Sequence, residues 1–213
     1  MEVTDAADLT AVRTRYLQAL AEGEESLVVD FRPGAHGLDP QGVLATLSLA
    51  PVGGPAPEID LTLRGAGGLA VLAGVPLQIV ARRVVLERLA IVGPLFPAIA
   101  ITAQEIELRD VIVLGAQPDE RRRAVVELSA AGPEALQTIQ RTVIARSTGR
   151  DATLACSVRT GAWLNRLAIE DVTIADGAPD AVLSVEAVRE LDLRASVLRA
   201  GAARTLVRMD WPA

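Results

Sequence analysis

The residue types that most often do chemistry in proteins are scarce in this chain of 213 residues. His36 is its only histidine and Cys156 its only cysteine, so one chain cannot assemble a metal site of several histidines or an internal disulfide, and any Ser/His/Asp triad would have to use His36. Every basic residue is arginine, which excludes the lysine of Schiff-base and P-loop sites. We expect His36 to lie in a surface turn, from Pro33 to Gly37, and Cys156 to be a small buried hydrophobic residue of the segment LACSV.

Paired carboxylates are a further chemical possibility, because calcium sites and acid/base catalysts use them. Asp110 and Asp171 occupy equivalent positions in two similar segments. The 61 residues from Ile106 to Leu167 have room for three repeats of about 20 residues, so we expect two further repeats between the aspartates. Three strand spacings would then separate them by roughly 14 Å, too far to share one ion. The sequence therefore predicts no metal site, no cofactor and no catalytic residue.

A loose GxGxxA pattern at Gly65, Gly67 and Ala70 could cradle a pyrophosphate if a helix followed it. The segment that follows, LAVLAGVPLQIV, is not an amphipathic helix and contains Gly74 and Pro76. We therefore interpret the pattern as a corner between two strands.

Four segments of the chain share one pattern, and a fixed repeat changes the expected fold. Each has an apolar, variable, apolar start, two mostly polar residues, a second apolar stretch and a glycine. This pattern predicts a strand, a bend that turns the polar pair outward, a second strand and a glycine-assisted corner. The segments are VVLERLAIVG (84–93), IELRDVIVLG (106–115), LAIEDVTIADG (167–177) and LDLRASVLRAG (191–201).

The earlier part of the chain continues this rhythm of short strands after one helix. The stretch from Asp8 to Ala21 carries apolar residues at helical spacing, and Gly23 follows as a stop. Short apolar alternations bounded by glycine and proline then predict strands. These strands are 26–31, 43–49, 59–63, 69–72 and 77–80.

Half of the residues are hydrophobic but only 2% are aromatic, which favours many thin aliphatic layers over one aromatic core. We therefore predict an all-β fold, a right-handed parallel β-helix (solenoid) with an N-terminal capping α-helix. The single domain, 1–213, consists in this prediction of the cap helix (1–23), stacked coils (26–204) and a C-terminal cap (205–213). Caps are expected because a solenoid must cover the apolar ends of its stack.

The opening helix, the SLVVDFRPG strand and turn, the IDLTLRGAGG stretch ending at Gly68 and the later repeats resemble the pectate-lyase-like right-handed β-helix superfamily. The resemblance covers nearly the whole chain and implies a β-helix architecture. It does not imply one activity, because the superfamily includes polysaccharide lyases, glycoside hydrolases, epimerases, phage tailspikes and non-catalytic repeat proteins. The calcium-binding aspartates of the lyases and the Asp/His groups of the hydrolases have no match in this sequence.

One position of the four aligned segments alternates in charge. It is occupied by Glu87, Arg109, Glu170 and Arg194, which we interpret as a solvated surface charge ladder. The net charge of −6 argues against nucleic acid as a partner, because phosphate backbones require clustered positive charge.

The location of the protein is expected to be cytoplasmic. The first ten residues, MEVTDAADLT, do not have the basic and apolar regions of a signal peptide. The apolar stretch from Ile91 to Ile101 contains glycine and prolines and is too short to span a membrane.

The function that these features favour is a non-catalytic interaction or assembly module, which binds a protein partner or its own copies. Trp163 and Trp211 are the expected partner anchors if they are exposed. The alternatives are a carbohydrate-active enzyme of the polysaccharide lyase or epimerase type, with a glycan as ligand, and a structural component of a phage-like or envelope assembly. Three carboxylates facing one cleft would favour the enzyme, whereas a contiguous apolar patch rimmed by charge would favour the interaction module.

Overall fold

The structure, a computed structural model, describes most of the chain. The described residues form one helix and twenty strands, arranged as sheets of 13 and 7 strands in which all strand pairs are parallel. The predicted all-β, parallel character of the chain is confirmed. The described residues are 2–3, 8–37, 46–51, 57–93, 97–116, 124–132, 134–147, 151–158, 163–175, 180–199, 201 and 203–210.

The helix α1 (Asp8–Glu22) packs against the first strands through one apolar stripe. Val12, Tyr16 and Ala19 are fully buried at the three- and four-residue spacing of one helix face. The hydroxyl of Tyr16 donates a 2.7 Å hydrogen bond to the carbonyl oxygen of Val80, and burial raises the pKa of Tyr16 to about 12. Gly23, at φ +69°, ends the helix because glycine adopts this left-handed conformation without strain. Among the described residues, no helix is long and apolar enough to cross a membrane.

The strands fall into three columns. The first column contains β1 (Glu2–Val3), β2 (Ser26–Phe31), β5 (Asp60–Gly65), the first halves of β8 (Arg83–Val92) and β10 (Glu105–Leu114), β12 (Ala135–Gln140), β15 (Leu164–Glu170) and β18 (Val188–Arg194). The second contains β3 (Gly34–Gly37), β6 (Ala70–Ala73), the second halves of β8 and β10, β13 (Val143–Ala145), β16 (Thr173–Ile174) and β19 (Val197–Leu198). The third column, the smaller sheet, contains β4 (Leu47–Leu49), β7 (Leu77–Val80), β9 (Ile99–Ala103), β11 (Ala124–Ala130), β14 (Ala152–Val158), β17 (Ala181–Glu186) and β20 (Thr205–Asp210).

From β2 onward the described chain visits the first, second and third columns in turn, seven times. We call each passage a rung. A residue with positive φ separates the first column from the second in five rungs, and these residues form the corner row. Because such a φ reverses the direction in which side chains point, it produces the bend that the aligned segments predict. The corner row consists of Arg88 (φ +54°), Asp110 (+54°), Arg141 (+46°), Asp171 (+53°) and Ala195 (+47°).

Inward-facing aliphatic residues stack from rung to rung and form the core. Along the first column, strand register aligns one such row, whose members from the first rung to the sixth are at most 1% exposed. Burying an aliphatic side chain of this size stabilises the fold by about 1.5–3 kcal/mol relative to leaving it exposed. The row consists of Val29, Leu63, Leu86, Leu108, Ile139 and Ile169.

The expected repeat length in the middle of the chain is wrong. Register aligns Ile106 with Gln137 and Gln137 with Leu167, so only one rung lies between the two aligned segments. Three stretches between these segments, 124–128, 142–145 and 152–158, resemble weaker copies of the repeat in sequence. The first and third form β11 and β14 of the other sheet, and the second forms β13 of the second column. Apolar alternation is the same in every column, so it does not reveal which sheet a strand joins.

Candidate interaction surface

The outward side of the first column carries a row of charged residues. Glu87 and Arg109 are direct neighbours in register, and so are Glu170 and Arg194. Register adds three residues that the four aligned segments do not contain, and the sign of the charge alternates along the row except at Gln140. This charge row consists of Asp30, Arg64, Glu87, Arg109, Gln140, Glu170 and Arg194.

Ion pairs in this region run both along the charge row and along single strands. Arg64 Nε donates to Asp30 Oδ1 at 2.5 Å, and this contact raises the pKa of Arg64. Arg109 instead pairs with Glu107, two residues earlier on the same strand. Because the arginines are largely exposed, solvent screens these pairs and each adds little stability.

The corner row repeats the alternation of charge directly beside the charge row. Asp110 accepts two hydrogen bonds from Arg141, 2.6 Å from Nε and 2.8 Å from Nη2. These bonds lower the pKa of Asp110, and they outweigh the opposing effect of partial burial. Arg141 stands in the rung between Asp110 and Asp171, so the aspartates are two strand spacings apart, about 10 Å, rather than three. Within the described ranges, no group of three or more His, Cys, Asp or Glu residues is arranged to hold a metal ion.

The outward side of the second column has a different character. Its two rows contain Ala, Val, Ile, Leu and a single Thr, with no charged side chain. Val92 is 37% exposed and Val197 is 58% exposed, whereas Ala90 is 4% exposed. We call this surface the apolar face. It consists of Ala35, Val71, Ala90, Ile112, Val143, Thr173 and Val197 in one row and Ala73, Val92, Leu114 and Ala145 in the other.

The apolar face was not singled out from the sequence, although a signal for it exists. The first halves IELR (106–109) and LDLR (191–194) alternate apolar and polar residues, whereas the second halves LAIV (89–92) and VIVL (111–114) are apolar at every position. A strand that is apolar at every position presents apolar side chains on both sides of its sheet. The corner row runs along one edge of this face, so charged residues flank it there.

A shallow groove lies near the C-terminal end of the first column, with a volume of about 210 Å³. Its carboxylates are those of Glu170 and Asp192. Asp192 accepts a 2.7 Å hydrogen bond from Arg194, and Glu170 accepts one of 3.2 Å from Gln140. The groove therefore brings together two carboxylates, not three, and both are engaged by neighbouring side chains.

Neither a protein-family model, nor a curated protein, nor a solved structure matches this chain.

The expected surface position of His36 is wrong. The side chain is 2% exposed and lies in an inward row, where register aligns it with Leu72. Nε2 donates to the carbonyl oxygen of Arg32 at 2.7 Å, and the ring meets Phe31 edge to face at 5.6 Å. Glycine and proline around His36 predicted a turn, but the structure has a short strand, β3, at this position. Side chains alternate along a strand, so Ala35 points outward and His36 inward.

Cys156 is fully buried in β14, as expected for a small hydrophobic residue. Burial raises the pKa of its thiol, so the thiolate needed for nucleophilic chemistry is disfavoured. The thiol therefore fills space in the core and is not placed to react.

The GxGxxA pattern forms the corner between β5 and β6, as predicted. A Cβ atom on Gly65 would lie 2.1 Å from the carbonyl oxygen of Gly68 and 2.5 Å from that of Arg88. Gly67 has φ +77°, a conformation that suits glycine. The glycines thus permit a close approach of backbone to backbone, and the described residues after the corner form β6 rather than a helix that could bind a phosphate.

Trp163 directly precedes β15 and is partly exposed. The guanidinium carbon of Arg189 lies 5.6 Å from the centre of its ring, within the range of a cation–π contact. Trp211 lies outside the described residues. The role of both tryptophans as partner anchors stays a prediction, as does the C-terminal cap, whose described part forms β20.

Proposed function

We propose that this chain is a right-handed parallel β-helix, capped at its N-terminal end by α1, and that it acts as a non-catalytic interaction module for another protein. The repeated passage through three columns supports the helical path. Connections between parallel strands of one sheet are right-handed in nearly all proteins, which supports the hand. The resemblance of the sequence to the pectate-lyase-like superfamily agrees with this architecture.

The apolar face is the observation that carries the proposed function. Its first row extends along seven strands, about 29 Å at the usual strand spacing, and contains no charged residue. The second row is uncharged over four strands, from Ala73 to Ala145. A contiguous apolar surface of this kind gains free energy when a partner covers it. The partner that fits is a protein with a flat aliphatic surface, since the face carries small aliphatic side chains and no aromatic platform.

The charges of the corner row would fix the orientation of a partner on the apolar face. Its charges alternate once per rung along the edge of the apolar face, from Arg88 through Asp110 and Arg141 to Asp171. A partner with the opposite alternation would bind in one register, because a shift by one rung would oppose like charges. Aliphatic burial would thus provide affinity, and the alternating edge would provide specificity.

The glycan-processing alternative has less support from the described residues. The groove at Glu170 and Asp192 brings together two carboxylates, both hydrogen-bonded to neighbours. A carbohydrate site also generally uses aromatic stacking platforms, and only 2% of this chain is aromatic.

The test is a comparison of three baits in lysate of the source organism. The baits are the wild-type chain, the Val143→Glu variant on the apolar face and the Thr138→Glu variant on the outward side of the first column. Val143 and Thr138 lie in the same rung, so the two variants carry the same new charge at matched positions. Circular dichroism must first show that both variants fold like the wild type.

We expect a stoichiometric partner on the wild-type and Thr138→Glu baits, and at least a roughly tenfold lower yield on Val143→Glu, because a buried unpaired charge opposes binding. The same ranking should follow in direct titrations with the purified partner. Equal capture by all three baits, or no partner on the wild type, would contradict the proposed use of the apolar face.

A further inference from the structure

In the last rung, which consists of β18, β19 and β20, side chains are exposed at positions whose counterparts in every earlier rung are buried. Leu193 is the register neighbour of Ile169 and extends the inward row by one residue. Leu193 is 41% exposed, whereas Ile169 is 1% exposed. Met209 is likewise 41% exposed, whereas its neighbour Val185 is 1% exposed. The inward rows therefore run on to a surface that no described element covers.

The backbone at this end is also available for pairing. β18 bonds only to β15, β19 only to β16 and β20 only to β17. Each strand of the last rung therefore has one free edge among the described residues. A free edge next to exposed aliphatic side chains is the usual template for pairing with another strand.

The opposite end of the stack is covered differently. There β1 pairs with β2, and α1 packs across β2 and β4. A second copy stacked head to tail would therefore meet a first rung that is partly covered by β1 and α1. Two copies that cover their open ends in this way meet through their last rungs, which relates them by a two-fold axis and closes the assembly as a dimer.

We propose that a second copy of this chain docks on the last rung, tail to tail, with β18 of each copy antiparallel to β18 of the other. The inference rests on the stacked architecture proposed above and not on the partner of the apolar face. A two-fold axis at Leu193 places Asp192 of each copy opposite Arg194 of the other, which gives two opposite-charge pairs. A two-fold axis at Asp192 would instead oppose the two Asp192 carboxylates, so charge selects the first register.

The exposure of Asp192, Leu193 and Arg194 bears on the proposed contact between the two copies. Arg194 is 70% exposed and contacts Asp192 of its own strand through Nε, which leaves its other guanidinium nitrogens for a second carboxylate. Asp192 is 21% exposed and also lies 3.5 Å from Arg166 Nη2. Leu193 lies between Asp192 and Arg194 in sequence and points into the stack, where the Leu193 of the second copy would cover it. Apolar contact at the centre with charge pairs at its sides is the usual arrangement of a protein interface.

The experiment measures the mass of the 213-residue chain in solution by sedimentation velocity. The wild type should sediment with twice the 22.4 kDa mass of one chain at about 100 μM. Arg194→Asp and Asp192→Arg alone should each dimerise at least about tenfold more weakly, because like charges then meet across the two-fold axis. Mixed in equal amounts, the two variants should form a heterodimer, since all opposed charges are again complementary.

Two further variants keep the result interpretable. Arg109→Asp makes the same change in the charge row three rungs away and should leave the dimer intact, and so should Val143→Glu on the apolar face. If a single charge variant fails to fold, the double variant Asp192→Arg/Arg194→Asp restores complementarity and should dimerise with itself. A monomeric wild type at this concentration would overturn the proposal, as would a dimer that the charge variants leave unchanged or that Val143→Glu disrupts.

Discussion

The guanidinium of Arg141 donates two hydrogen bonds, of 2.6 and 2.8 Å, to the carboxylate of Asp110 in the preceding rung. Both residues belong to the corner row and have positive φ. Aspartate tolerates this conformation better than most residues, because its short polar side chain suits it. The pair therefore ties two successive bends together at the border between the charge row and the apolar face.

Replacing Asp110 with Asn should lower the free energy of unfolding by about 0.5–1 kcal/mol at pH 7, because the charge is lost while the tolerance for positive φ remains. The folded-state pKa of Asp110 lies below its ordinary value of 3.8. A lowered pKa contributes stability that is fully present above the unfolded pKa and is lost as the pH falls through the folded pKa. The difference between wild type and variant should therefore shrink below about pH 4, as urea unfolding at pH 7 and pH 3 would measure.

A double-mutant cycle with Arg141→Gln isolates the pair from other effects of each substitution. A coupling free energy of zero at pH 7, or a difference that grows as the pH falls, would contradict the assigned pairing.

Replacing Gly65 with Ala should destabilise the fold by about 1–3 kcal/mol, the usual range for forcing atoms into a filled space. The added Cβ would meet two backbone carbonyl oxygens at 2.1 and 2.5 Å, and backbone cannot rotate away as a side chain does. Thermal and urea unfolding of the purified variant would measure the loss.

Gly68→Ala is the matched control at the same corner. Its Cβ would make only ordinary contact, 3.6 Å from a side-chain carbon of Pro33. We expect a change within about 0.5 kcal/mol. Equal effects of the two substitutions would show that the corner has more room than the structure gives it.

Cys156 should resist thiol reagents while the protein is folded. Its side chain is fully buried and its pKa is raised, so reaction requires opening of β14. Labelling with a chromogenic disulfide reagent should be at least about a hundredfold slower in buffer than in denaturing urea. Because Cys156 is the only cysteine, the absorbance reports this site alone. Rapid labelling of the native protein would place the thiol at the surface instead.

The sequence predicted the repeated unit better than the arrangement of the units. The strand, bend and second strand of the segment 106–115 follow from local alternation and two polar residues, and the structure has β10 bent at Asp110. The neighbour of that strand depends on long-range register, which local alternation does not encode. The number of rungs between Asp110 and Asp171 was therefore overestimated by one.

Only part of the charge row could be identified from the sequence. The alternating charges of Glu87, Arg109, Glu170 and Arg194 were visible because the aligned segments place them at one position. Asp30, Arg64 and Gln140 join the same row only through pairing across rungs of unequal length. His36 was misplaced for a related reason, since its inward position follows from the pairing of β3 with β6 rather than from its neighbours in sequence.

Among the described strands, each rung pairs only with the rungs before and after it, yet the rungs differ in length in sequence. Ile106 and Gln137 are 31 residues apart, whereas Val84 and Ile106 are 22 apart, and both pairs are direct neighbours in register. The connections thus absorb extra residues without disturbing the columns. A gene that duplicated one whole rung would lengthen the apolar face and its charged border by about 4.8 Å and leave their chemistry unchanged. The length of the apolar face is therefore a property that evolution can adjust one rung at a time.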